Sequence, residues 1–203
     1  MRYRTFALAA ALLAVTAAGC NQKPETKAEA PVAVETPAPA PAPAETPISV
    51  AEGFHHQADF EAAGYYLSPT AFRVGNYAFT HIGVGMPSDF ETWEGGDRSS
   101  TFGPILIAFD DVTSPKAANE LGGEGHSVTL RVLPQAYSFD AGKMTFRGAD
   151  PKLGEVLFSG VFDKAALLRA QASGSSQEIV LSGDLMIGAG PTRKVSFTYW
   201  VGD

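Results

Sequence analysis

From Ser127 onward, apolar and polar residues alternate with a period of two. Val128, Leu130 and Val132 interleave with Thr129 and Arg131, and Met144 and Phe146 with Thr145 and Arg147. Ile179, Leu181, Leu185 and Ile187 share one parity, opposite Ser182 and Asp184. Val195, Phe197, Tyr199 and Val201 alternate with Lys194, Ser196 and Thr198. This pattern predicts strands with one buried face, the antiparallel case rather than the doubly covered parallel one. Glu155 to Phe162 is apolar on both parities, as a central strand would be. Earlier, Phe72 to Val84 carries β-formers around a Gly75-Asn76 turn signal, and Ile105 to Phe109 is a compact strand closed by Asp110-Asp111.

Helical signals are few and short. Ser88-Asp89-Phe90-Glu91 reads as a capping box, with Phe90 and Trp93 on one face and Gly95-Gly96 as the stop. Ser114-Pro115 with Gly122 predicts a further one- or two-turn helix. Asp163 caps Lys164 to Ala172, where Leu167 and Leu168 can face a sheet while Arg169 faces water. The expected fold is mainly β: an antiparallel barrel or β-sandwich of seven or eight strands in meander order, with one or two short helices.

The first 47 residues have a different character. Arg2 and Arg4 precede an apolar run from Phe6 to Ala18, too short to span a bilayer but the length of a signal-peptide core. Thr16-Ala17-Ala18-Gly19-Cys20 resembles the bacterial lipobox, with Ala17 where Leu is usual. The resemblance implies cleavage of residues 1–19, acylation of Cys20 and, with Asn21 following, sorting to the outer membrane. Cys20 is the only cysteine, so there is no internal disulfide, and acylation removes a thiol that is a liability in an oxidising compartment. Residues 20–47 hold seven of the 14 prolines and no aromatic residue. They read as a polyproline-type tether that holds a single domain, residues 48–203, clear of the membrane.

Charge narrows the partners. The chain carries −7, and removal of Arg2 and Arg4 leaves 13 basic against 22 acidic residues, or −9. Nucleic acid and an anionic membrane surface both call for a basic face, so neither is expected as a direct partner.

Candidate chemistry is sparse. There is no G-x-S-x-G elbow, H-E-x-x-H, Walker loop or C-x-x-C. Adjacent His55 and His56 point to opposite faces of a strand, and His81 and His126 lack ligand spacing, so no metal or cofactor site is expected. The acids Asp89, Glu91, Glu94 and Asp97 read as a solvated face before they read as a cation site. An enzyme would need His55, His56, Asp59 and His81 to converge.

Leu181-Ser182-Gly183-Asp184-Leu185-Met186-Ile187, followed by Arg193-Lys194-Val195-Ser196-Phe197, resembles the last hairpin of YceI-type proteins. Phe79-Thr80-His81-Ile82-Gly83, with Phe90, Trp93 and Gly95, is similar to their early strand and helical turn, although the family's Val-Lys-His spacing is altered. Together the two pieces cover about 40 residues. The resemblance implies an exported, lipocalin-like barrel that holds a long isoprenoid or similar apolar chain.

Two functions follow as expectations. The first is a non-enzymatic tethered module that binds a small apolar ligand through Phe79, Phe109, Phe158, Phe197 and Tyr199. The second is an accessory envelope lipoprotein that binds protein partners or peptidoglycan through its surface, with Tyr65, Tyr66 and Trp200 as a candidate aromatic patch. An apolar cavity of several hundred Å3 favours the first and a filled core the second.

Overall fold

The chain forms β1 (Phe54–Gln57), β2 (Gly64–Leu67), β3 (Arg73–Val74), β4 (Tyr77–Val84), α1 (Pro87–Glu94), β5 (Ile105–Asp111), β6 (Lys116–Ala118) and β7 (Glu124–His126). There follow β8 (Thr129–Val132), β9 (Pro134–Asp140), β10 (Lys143–Asp150), β11 (Gly154–Phe162), α2 (Lys164–Ser173), β12 (Ser175–Ile187) and β13 (Arg193–Trp200). This computed structural model describes residues 48, 52–118 and 123–202, all within one compact unit. The expectations for residues 1–47, Cys20 among them, lie outside the described residues.

Eleven strands make one sheet in the order β1-β9-β10-β11-β12-β13-β2-β4-β5-β8, with β3 attached to β4; β6 and β7 pair separately. From β9 to β13 each strand lies antiparallel beside the next, as the alternating pattern predicts. β11, apolar on both parities, is central between β10 and β12. The sheet curls because β8 runs into β9 through Leu133 alone. The segment that pairs with β5 at one end of the sheet therefore pairs with β10 at the other. The result is a barrel-like fold.

Several local expectations are corrected. The sheet has more than eight strands because β1, β2 and β3 are too short to print an alternation. β1 runs parallel to β9, Phe54 opposite Tyr137, and not antiparallel. Lys116–Ala118 is a strand and not the start of a helix. The hydroxyl of Ser114 donates to the Asp111 carbonyl and accepts from the Val128 amide, which commits it to closing a turn. Helix α1 starts at Pro87, and its N-terminal bond is Met86 N–H to the Asp89 carboxylate at 2.7 Å, with no Ser88–Glu91 box. In α2, Asp163 accepts from Ala166 N–H at 2.9 Å as expected, but of the two leucines only Leu167 is buried. Leu168, about 100° further round the helix, is exposed.

The interior is aromatic. Tyr66, Tyr137, Phe109, Phe139, Phe146, Phe158 and Phe197 are fully buried. Ala166, Leu167 and Ala170 of α2 and Phe90 and Trp93 of α1 join the same core.

Candidate functional site

The structure brings the five expected ligand-binding aromatics together inside the curl. Phe79 packs on Phe109 with ring centres 5.8 Å apart and on Phe197 at 5.6 Å, and Phe158 lies 5.9 Å from Phe197. Tyr199 meets Tyr66 edge-on at 5.8 Å, and their hydroxyls donate to the carbonyls of Ala63 and Ala62. Burial raises both phenol pKa values above the usual tyrosine range. These rings rest on one another, the arrangement of a packed core.

The outer face offers a second site. Tyr65 on β2 stands opposite Gly83 on β4, and Gly83 opposite Leu106 on β5. Gly83 has no side chain, so the buried Leu106 side chain packs against its backbone; a Cβ there would come within 3.3 Å of Leu106 Cγ. The groove above this floor holds about 210 Å3. Its rim comes from three separate segments: Met86 at the head of α1, Phe102 in the loop before β5, and Val201 after β13. These residues are 54%, 63% and 57% exposed. The Phe102 loop is shaped by Ser99, whose hydroxyl accepts from the amides of Thr101 and Phe102. Asp89 is the one charged residue in the lining, and its carboxylate is occupied by the Met86 amide.

Beside the groove, Tyr65 meets His81 edge-on at 5.0 Å and Trp200 at 5.5 Å. Burial lowers the His81 pKa, Asp110 opposes that shift and Arg131 adds to it. Tyr65 and Trp200 thus share the outer face as the sequence suggests. Tyr66 does not, because neighbours on a strand point to opposite faces, and it is fully buried.

The polar candidates stay apart. His56 stacks on Phe90 of α1, Asp59 pairs with Lys164, and His81 packs on Tyr65. His126 Nδ1 lies 3.2 Å from the Ser114 carbonyl. In the acidic stretch, Glu94 accepts from the Tyr137 hydroxyl at 3.0 Å. No group of three His, Cys, Asp or Glu residues that could hold a metal occurs among the described residues.

Met86, Phe102 and Leu106 were not legible as site residues. The one signal was Phe102 itself, a lone large apolar residue between Ser99-Ser100-Thr101 and Gly103-Pro104. No family model matches the chain, and neither a curated protein nor a solved structure matches it.

Proposed function

We propose that the chain is an envelope lipoprotein, held through Cys20 and a residue 20–47 tether at the outer membrane, whose β domain works as a non-enzymatic module that binds a protein partner through its outer surface. The supporting observation is the groove: Met86, Phe102 and Val201 are exposed apolar side chains from three segments that converge on one recess. Scattered exposed hydrophobics are ordinary, but convergent ones mark contact surfaces. The packed aromatic interior favours the same reading, because Phe79, Phe109, Phe158 and Phe197 are engaged with one another.

A second reading is favoured by the groove's mainly apolar lining. In it, a small apolar ligand, such as the end of a lipid chain, occupies the groove, in place of the interior site implied by the YceI-type resemblance.

Photocrosslinking from the full-length acylated protein in envelopes separates the two. A photoreactive residue in place of Phe102 should join a discrete protein, and one in place of exposed Leu168 on α2 should not. A co-purifying lipid, seen by native mass spectrometry and displaced by Phe102→Ser, with no protein crosslink, would replace the partner reading with the ligand reading. Equal crosslinking from both positions would remove the groove from the account. The Cys20→Ser variant should leave the membrane fraction, and its retention there would contradict the anchor.

A further inference from the structure

Strand β13 pairs with β12 from Arg193 to Phe197 and again at Tyr199 and Trp200, across a bulge in β12. On its other side it pairs with β2 only from Thr198 to Trp200. β2 ends at Leu67, and the chain leaves the sheet through Ser68, Pro69 and Thr70 before β3 rejoins β4 at Arg73. Between Arg193 and Phe197, one side of β13 therefore has no strand partner among the described residues. A recess of about 340 Å3 runs along this edge, bounded by Ser68 to Thr70 on one side and Arg193 to Ser196 on the other.

Every second residue of an antiparallel strand points its main-chain N–H and C=O to a given side. An interrupted edge thus presents donors and acceptors at strand spacing, and the group that satisfies them in register is another extended chain. Charge selects its chemistry. Arg193 is exposed and forms no ion pair among the described residues. Lys194, next to it, is largely exposed and hydrogen-bonds Asp184 at 2.9 Å. A free guanidinium at a strand edge takes a carboxylate through two parallel N–H···O bonds.

We infer that the 193–197 edge of β13 is a strand-addition site for an extended, acidic peptide segment of a protein partner. The inference rests on the surface-binding reading and places a second contact on the same strand that ends at the groove. The recess carries Arg193, Lys194 and three hydroxyl side chains beside Phe72 and Val195, where the groove has Asp89 as its one charge, so the two contacts take different parts of a partner.

The test is residue-level amide exchange by NMR on the full-length chain in detergent, with a blocked hexapeptide that alternates glutamate and valine. A hexapeptide that alternates lysine and valine is the control. The Glu peptide should bind saturably and slow those amides of 193–197 that β12 does not hold. It should bind about tenfold more tightly than the Lys peptide, as a charge-assisted hydrogen bond implies. Arg193→Glu, at an exposed position, should reverse that preference while leaving the melting temperature unchanged. Added salt should weaken the Glu peptide more than the Lys peptide.

Equal affinity for the two peptides would overturn the proposal. So would edge amides already protected without peptide: independent of protein concentration if the chain's own residues fill the edge, concentration-dependent if a second copy does. Failure here with the Phe102 crosslink retained would remove strand addition alone; loss of both would remove the surface-binding reading.

Discussion

His56 lies flat on Phe90, ring centres 3.9 Å apart and planes within 14°. This contact joins the edge strand β1 to helix α1, and Phe54 extends it by meeting Trp93 edge-on at 6.3 Å. Arg98 adds its guanidinium over the Phe54 ring at 4.4 Å. The lead-in strand, the least legible part of the domain, is thereby fixed by aromatic packing and not by polar chemistry.

The stacked position makes His56 pH-sensitive. Burial lowers its pKa below 6.5, His55 adds to the shift, and Glu94, Glu61 and Glu91 oppose it. His81 is lowered as well, first by burial. Well above 6.5 both histidines are neutral in the folded and unfolded chain. As pH falls through 6.5 the unfolded chain takes up protons that the folded state resists, so stability declines until the folded-state pKa values are passed. Melting temperatures should fall between pH 7.5 and 5, and the slope should be shallower in His56→Phe/His81→Phe. An identical slope in that variant would assign the pH dependence to other groups.

Tyr137 is fully buried, yet its hydroxyl reaches Glu94 on α1 at 3.0 Å. Burial and this carboxylate together push the phenol pKa far above its usual value, so the group stays a donor at any working pH. Tyr137→Phe keeps the ring and removes the bond. It should cost about 1–2 kcal/mol in denaturant unfolding, with little change in the denaturant dependence. A loss near zero would mean that water replaces the tyrosine at Glu94 without penalty.

The 160–183 pairing has no room for a methyl group. A Cβ on Gly183 would meet the Ser159 carbonyl oxygen at 2.3 Å and Gly160 Cα at 2.6 Å. Gly160 stands opposite Gly183 on the neighbouring strand, and the Phe158 ring covers it. Gly183→Ala should therefore lower stability by about 3 kcal/mol or more, as overpacking in a tight core does. At the β3–β4 turn, Gly75 has a positive φ but open space around it, so Gly75→Ala should cost only about 1 kcal/mol of backbone strain. Thermal or urea unfolding of the two variants should rank them in that order.

The long strands were legible because their buried faces repeat. Phe158, Leu181, Leu185, Val195, Phe197 and Tyr199 all lie inward, as their parity requires. Parity failed at the ends. Val161 and Val201 are exposed because α2 and the C-terminal turn do not cover them, and Val201 became part of a groove rim. β2 was missed since four residues print too little pattern, and one of its partners, β13, lies far away in sequence. The groove was missed for a related reason: Tyr65, Gly83, Phe102 and Val201 meet only once β2, β4, β5 and β13 have assembled. Of the five aromatics, Phe79, Phe109, Phe158 and Phe197 pack on one another and Tyr199 packs on Tyr66. Sequence could not say whether they line a cavity or pack on one another, since inward residues look the same in either case.

If binding takes place on the outside of the barrel-like sheet, over Gly83 and Leu106, the interior aromatics are structural. Titration of the full-length protein with the apolar fluorophore N-phenyl-1-naphthylamine tests it most directly. Fluorescence enhancement should be saturable and should be lost in Phe102→Ser/Met86→Ser, two exposed positions whose replacement should leave the melting temperature unchanged. Phe197→Leu, inside the core, should lower stability without changing the fluorophore's affinity. Binding that survives the groove substitutions but shifts with Phe197→Leu would place the ligand inside and overturn the outer-face site.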